Sequence, residues 1–147
     1  MSTAASPIIT THPIGQINRW ALTVITVAGL AVDAYVHFDL AGNYDPVKTS
    51  ALSQGQLFRV EAIAAILAAV ALLVWRRRAS ALAALVVAAS GLAALVVYRY
   101  VDVGRVGPIP AMYEPVWFAE KLRSAYAEGA VAVLCLARAM LARLARG

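Results

Sequence analysis

Two apolar runs, 57–75 and 79–97, are separated only by Arg76, Arg77 and Arg78. As one helix they would extend about 60 Å at 1.5 Å per residue, twice the hydrocarbon core of a bilayer, with three guanidinium groups in the middle. The chain must therefore turn at the arginines, although neither Gly nor Pro marks the place. Two further apolar runs, 17–40 and 116–140, flank this pair. Each run reaches or approaches the roughly 20 helical residues that a membrane span needs. Hydrophobic residues make up 62% of the chain and charged residues 14%. Soluble domains carry about 45–50% and about 25%. The apolar surplus lies in runs, so it points to lipid as the surrounding medium.

The expected fold is therefore all-α: a four-helix transmembrane bundle made of two hairpins. Its helices are predicted at about 17–40, 57–75, 79–100 and 116–142, within a membrane domain covering 17–147. Residues 1–16 hold Pro7, Pro13 and Gly15 among several Ser and Thr, and read as a flexible cytoplasmic tail. A signal peptide cut near Val32-Asp33-Ala34 is the rival reading of the first run. The acid beside the cut and the length of the run weigh against it.

Charge sets the orientation. Arg19, Arg76, Arg77, Arg78, Arg138, Arg143 and Arg146 fall on one side of the four-span arrangement, with no acid among them. All eight acids fall in the two opposite hairpins with six bases. By the positive-inside rule the arginine side, with both termini, is cytoplasmic, and the compartment is a bacterial plasma membrane. The basic residues sit at the ends of apolar runs and form no aromatic-interleaved patch, so no nucleic-acid partner is expected. The sole cysteine, Cys135, lies in an apolar run and reads as a small buried side chain.

The two outer connections look alike. Tyr44-Asp45-Pro46-Val47 matches Tyr113-Glu114-Pro115-Val116, and Val32-Asp33 matches Val101-Asp102, all at an offset of 69 residues. An internal duplication would make the protein two hairpins of one orientation, as in transporters with parallel repeats. The alternative is that a Tyr-acid-Pro turn suits any hairpin at a membrane surface.

Ionisable residues inside spanning helices cost about 2.5–3.5 kcal/mol on insertion scales, so they tend to face the bundle interior. Asp33 and His37, four residues apart, share a helix face with Thr23, Thr26 and Leu30. Asp33 lies roughly 10 Å below the outer end of its helix. Arg59 and Glu61 open the second helix. Arg99 and Asp102 close the third. Lys121, Ser124 and Glu128 share a face of the fourth. Connectivity alone puts Asp33, His37, Arg59, Glu61, Arg99, Asp102, Lys121 and Glu128 in the outer half.

Three chemistries suit that set. Asp33, His37, Glu61 and Glu128 form a hard oxygen and nitrogen ligand set for a divalent metal. Alternatively, Arg59, Arg99, Lys121 and Arg123 neutralise Asp33, Glu61, Asp102 and Glu128 in a structural network. Thirdly, Asp33 beside His37 relays protons or holds a small ligand. No Gly-x-Ser-x-Gly, Cys-x-x-Cys or phosphate-loop pattern is present, and no pair of intramembrane histidines.

His37-Phe38-Asp39-Leu40, Tyr44, Gly55-Gln56-Leu57-Phe58 and Glu61-Ala62 resemble a segment of small four-span membrane proteins of actinobacteria. Those proteins carry a His-x-x-Leu end to helix one and a Gly-x-Leu-Phe start to helix two. The resemblance covers about residues 30–75. It implies the four-span fold and a site shared by His37 and Glu61, but no activity. The expected function is a binding or accessory subunit of a membrane complex, with the bilayer and either a membrane protein or a second copy as partners. A membrane metalloprotein or redox enzyme using the Asp/His/Glu site is the competing class.

Overall fold

The structure, a computed structural model, describes residues 13–144. It is a bundle of four helices: α1 (Pro13–Ala41), α2 (Gln54–Val74), α3 (Arg78–Tyr100) and α4 (Ala119–Leu144). Among the described residues there is no strand, only two isolated bridges in the outer loops. The helices form a ring in chain order, each packed against two neighbours, with α4 closing back on α1. Residues 1–12 of the expected tail lie outside the described residues, and residues 13–16 belong to α1.

The helix boundaries differ from the apolar runs for local reasons. Proline tolerates the first helical position because its missing N–H would have no intrahelical partner there, so α1 starts at Pro13. α2 starts at Gln54, three residues before the run, because Ser53 and Gln56 form a capping box. Gln56 N–H donates to Ser53 Oγ at 3.0 Å, and Ser53 N–H donates to Gln56 Oε1 at 2.8 Å. α4 starts at Ala119, later than expected, because 116–118 are not helical. The Lys121 ammonium donates to the carbonyls of Glu114 at 2.7 Å and Val116 at 3.1 Å, tying that segment to the first turn of the helix. Between α2 and α3 the reversal is made by Arg76, whose φ of 45° is left-handed. This is the position that glycine normally fills after a helix.

Residue sizes are arranged inside out. The buried positions of α2 and α3 are mostly small: Ala62, Ala65, Ala68 and Ala69 face Ala84 and Ala88. Large residues such as Val60, Ile63, Leu67, Val70 and Val74 point away from the bundle. Water would penalise such a surface, whereas lipid does not, and small facing residues let helix backbones approach closely. Gly29 shows how closely: a Cβ there would stand 2.6 Å from Val131 of α4. α1, α2 and α3 are long and apolar enough to cross a membrane. α4 is comparably long but carries Glu120, Lys121, Arg123 and Glu128 in its first half.

The sequence repeat does not extend to equivalent positions. Asp33 is 1% exposed and lies inside α1, whereas Asp102 is exposed and follows the end of α3. Asp45, in the α1–α2 connection, pairs with the start of α2, where Arg59 donates to both carboxylate oxygens at 2.8 and 2.7 Å and Ser53 Oγ donates to Oδ1 at 3.2 Å. Glu114 instead accepts from the N–H of Val116 at 3.4 Å. Counted forward by 69, Arg59 corresponds to Glu128, so the second copy has no base to reproduce the fork.

The Arg59 fork, helped by Ser53, holds Asp45 below the usual carboxylate range. A lowered carboxyl pKa adds stability above the unfolded value and loses it as pH falls through the folded one. Amide hydrogen exchange in residues 43–53 should therefore accelerate as pH drops below about 3.8, after correction for intrinsic rates. Asp45→Asn should remove that pH dependence. The pair is solvent-exposed, so the effect should be confined to the loop and fade in high salt.

Candidate functional site

Four helices bring polar side chains to one depth. Asp33 lies eight residues before the end of α1, and Glu61 seven after the start of α2. Gly91 lies nine residues before the end of α3, and Glu128 nine after the start of α4. At 1.5 Å per residue these are all about 10–14 Å from the outer helix ends. Up-and-down connectivity makes the levels coincide, and helical periodicity turns the side chains inward. On α1 the buried face runs Thr23, Thr26, Leu30, Asp33 and Ala34. On α4 it runs Ser124, Ala127, Glu128, Val131 and Cys135.

His37 and Asp33 form the centre. His37 Nδ1 is 3.0 Å from Asp33 Oδ1 and 3.0 Å from the Asp33 carbonyl oxygen. Ser124 Oγ lies 3.1 Å from Asp33 Oδ1 and 3.3 Å from Glu128 Oε1, and its single proton can serve one of them at a time. Asp33, His37 and Glu128 each present a ligand atom, all within 4.8 Å of one another. Metal bonds of about 2.0–2.2 Å allow ligands up to roughly 4.4 Å apart, so a small inward movement would close the set on an ion. Glu61 comes in from α2. Its Oε1 would be 3.0 Å from a Cβ placed on Gly91, and Glu128 Oε1 would be closer still. Gly91 is thus the gap in α3 into which both carboxylates project.

Neutralisation is incomplete. Asp33 and Glu128 are each 1% exposed, yet Asp33 Oδ2, Glu61 Oε1 and Glu128 Oε2 have no hydrogen-bond partner. A buried charge without a partner costs several kcal/mol, so these carboxyl groups are neutralised either by protons they hold themselves or by a bound cation.

The expected basic partners are elsewhere, which corrects the structural-network reading. Arg59 is engaged by Asp45. Lys121 is spent on backbone carbonyls. The Arg99 guanidinium lies 4.9 Å from the Tyr100 ring centre and 5.5 Å from that of Trp117. Arg123 pairs with Glu120 at 3.7 Å. Asp102 caps its own loop, accepting from Gly104 N–H at 3.1 Å. Of the eight expected residues, the structure gathers Asp33, His37, Glu61 and Glu128 and disperses Arg59, Arg99 and Asp102. Lys121 lines the cavity above the carboxylates.

That cavity, about 350 Å³, extends outward from Glu61 and Glu128. Its walls are chiefly Leu57, Phe58, Leu95, Tyr98 and Phe118, with Tyr44 and Glu114 on the loop side. Phe58 meets the His37 ring edge-on at 5.3 Å and the Tyr44 ring at 5.1 Å. Burial, then the Glu114 carboxylate, raises the Tyr44 phenol above its usual range, so it stays a hydrogen-bond donor. The sequence reading missed Phe58 and Tyr44 as site residues. The Gly-x-Leu-Phe pattern and the Tyr-acid-Pro turn were visible, but nothing in them indicated contact with His37.

Gly91→Val should force Glu61 and Glu128 apart and cost about 1–3 kcal/mol of stability, the usual penalty for overfilling a packed interior. A Cβ at Gly42 meets nothing within 4 Å. Gly42→Ala should therefore shift thermal stability by less than about 0.5 kcal/mol. Thermal unfolding of both variants in one detergent checks the contrast.

No family model, curated protein or solved structure matches this chain, so its chemistry is read from the geometry of the site itself.

Proposed function

We propose that the protein is a multi-pass plasma-membrane protein that binds a divalent cation in the outer half of its bundle. It serves as a binding or accessory subunit and not as an enzyme in its own right. The observation that carries this reading is the Asp33, His37 and Glu128 set, its ligand atoms within 4.8 Å of one another, with Glu61 beside Glu128 at Gly91 and three carboxylate oxygens left without partners. Mixed carboxylate and imidazole ligation suits zinc, manganese or ferrous iron. All four helices span the bilayer in this reading, α4 directing its charges inward or toward the outer surface. The arginine excess at one end supports cytoplasmic termini. The resemblance of residues 30–75 to small actinobacterial four-span proteins agrees with this assignment, since it includes His37 and Glu61.

A redox enzyme built on the same site is the second reading, and the aromatic cavity above Glu61 and Glu128 favours it. A site of this kind would hold an amphipathic substrate against the ion. It requires a redox-active metal, so a purely zinc, magnesium or calcium content would end it.

Elemental analysis of detergent-purified protein, before and after loading with zinc or manganese, should find about one ion per chain. His37→Ala and Glu128→Gln should each abolish it. In chelator, Glu128→Gln should be at least as stable as wild type, because it keeps the side chain's size and removes a buried ionisable group. No ion in the wild-type protein after loading would overturn the proposal. For the accessory role, native mass measurement after gentle solubilisation should find a species heavier than one chain. A homogeneous monomer that keeps its ion would refute that part alone.

A further inference from the structure

The opposite end of the bundle has the reverse problem. The sequence has no acid in residues 1–32, 62–101 or 129–147, so no acidic side chain is available there. Yet Arg19 of α1, Arg76 of the α2–α3 turn and Arg138 of α4 line one cavity of about 280 Å³ with Trp20 and Thr23. Two helices and a turn that are distant in sequence thus bring three arginines to a single space.

The groups are held in place. Arg138 Nη1 donates to Thr23 Oγ1 at 3.2 Å, and its Nη2 donates to the Arg76 carbonyl at 3.5 Å. Thr23 is 2% exposed, and its hydroxyl donates in turn to the Arg19 carbonyl at 2.9 Å. The Arg76 guanidinium lies flat on the Trp20 ring, 3.6 Å from its centre. That stacking occupies the face of the guanidinium and leaves N–H donors at its edge.

Arg76 is the most informative of these residues. Its φ of 45° is a conformation that costs an ordinary side chain about 1–2 kcal/mol and glycine nothing. Glycine would make the better turn, whereas arginine alone places a fixed cation over Trp20. The level of the cavity is also informative: it lies at the α2–α3 turn and beside Trp20, where the apolar span of α1 begins, the level at which interfacial tryptophans meet lipid headgroups.

The structure assigns a phosphate anion to this pocket, and we infer that its source is the phosphodiester of an anionic lipid headgroup in the adjoining leaflet. Guanidinium forks match phosphate oxygens in geometry and charge. Basic pockets between membrane helices are suited to such headgroups. The inference is independent of the cation site, which lies in the other half of the bundle.

Native mass spectrometry of the full-length protein with phosphatidylglycerol, phosphatidylcholine and inorganic phosphate tests it. Phosphatidylglycerol should bind about tenfold or more tightly than phosphatidylcholine, whose phosphodiester is the same but whose quaternary ammonium is repelled by the arginine cluster. Arg76→Gly and Arg138→Gln should each weaken phosphatidylglycerol binding about tenfold, and Arg76→Gly should keep or raise thermal stability. Arg77→Gln, an exposed neighbour that does not line the cavity, should leave binding unchanged. Displacement of the lipid by millimolar inorganic phosphate would assign the site to the free anion as well, whereas lack of displacement would confine it to the headgroup. Equal binding by wild type, Arg76→Gly and Arg138→Gln would overturn the assignment. So would an equal loss in Arg77→Gln, or no phosphatidylglycerol binding at all.

Discussion

Three carboxylates and an imidazole, gathered out of water with too few cations to balance them, govern the outer half of this protein. Asp33, Glu61 and Glu128 come from three different helices, and their shared environment exists only while those helices stay packed. The contact between His37 and Asp33 supplies one proton donor, and Ser124 supplies another. Neither satisfies the remaining oxygens. An interior with this imbalance takes up protons or a cation, and either links the state of the cluster to stability of the fold.

The rest of the bundle makes that arrangement possible by keeping its walls thin. Alanines at the α2–α3 contact and Gly29 at the α1–α4 contact let the backbones approach, while the bulky side chains turn toward lipid. Gly91 continues the same logic at the site itself, where a missing side chain leaves room for two carboxylates. Polar charge is thereby divided by function. Asp45 and Arg59 neutralise each other at the outer loop, Lys121 fastens the entry to α4, and the inner carboxylates are left to each other and His37.

Charge is also divided between the two ends. All of the acidic side chains occupy one half of the bundle, while Arg19, Arg76 and Arg138 converge at the other without one. Each end is incomplete in the opposite sense, one lacking positive charge and the other negative. The proposed cation site and the inferred anion site answer these opposite deficits.

The sequence by itself determined the four helices, the turn at Arg76–Arg78 and the depth of the acids. Hydrophobic run length, the cost of buried arginine and helix rise are all local quantities. It determined the shared face of Asp33 and His37 as well, because four residues make about one helical turn. The pairing of charges was decided only by the tertiary structure. Nothing in the spacing of Arg59 said that it would reach back fourteen residues to Asp45 instead of inward to Glu61. The Tyr-acid-Pro repeat likewise looked equivalent on paper, until the different ends of α1 and α3 buried one aspartate and exposed the other. Long flexible side chains can choose among several partners within reach. That choice depends on backbone positions from other helices, which no single segment of sequence contains.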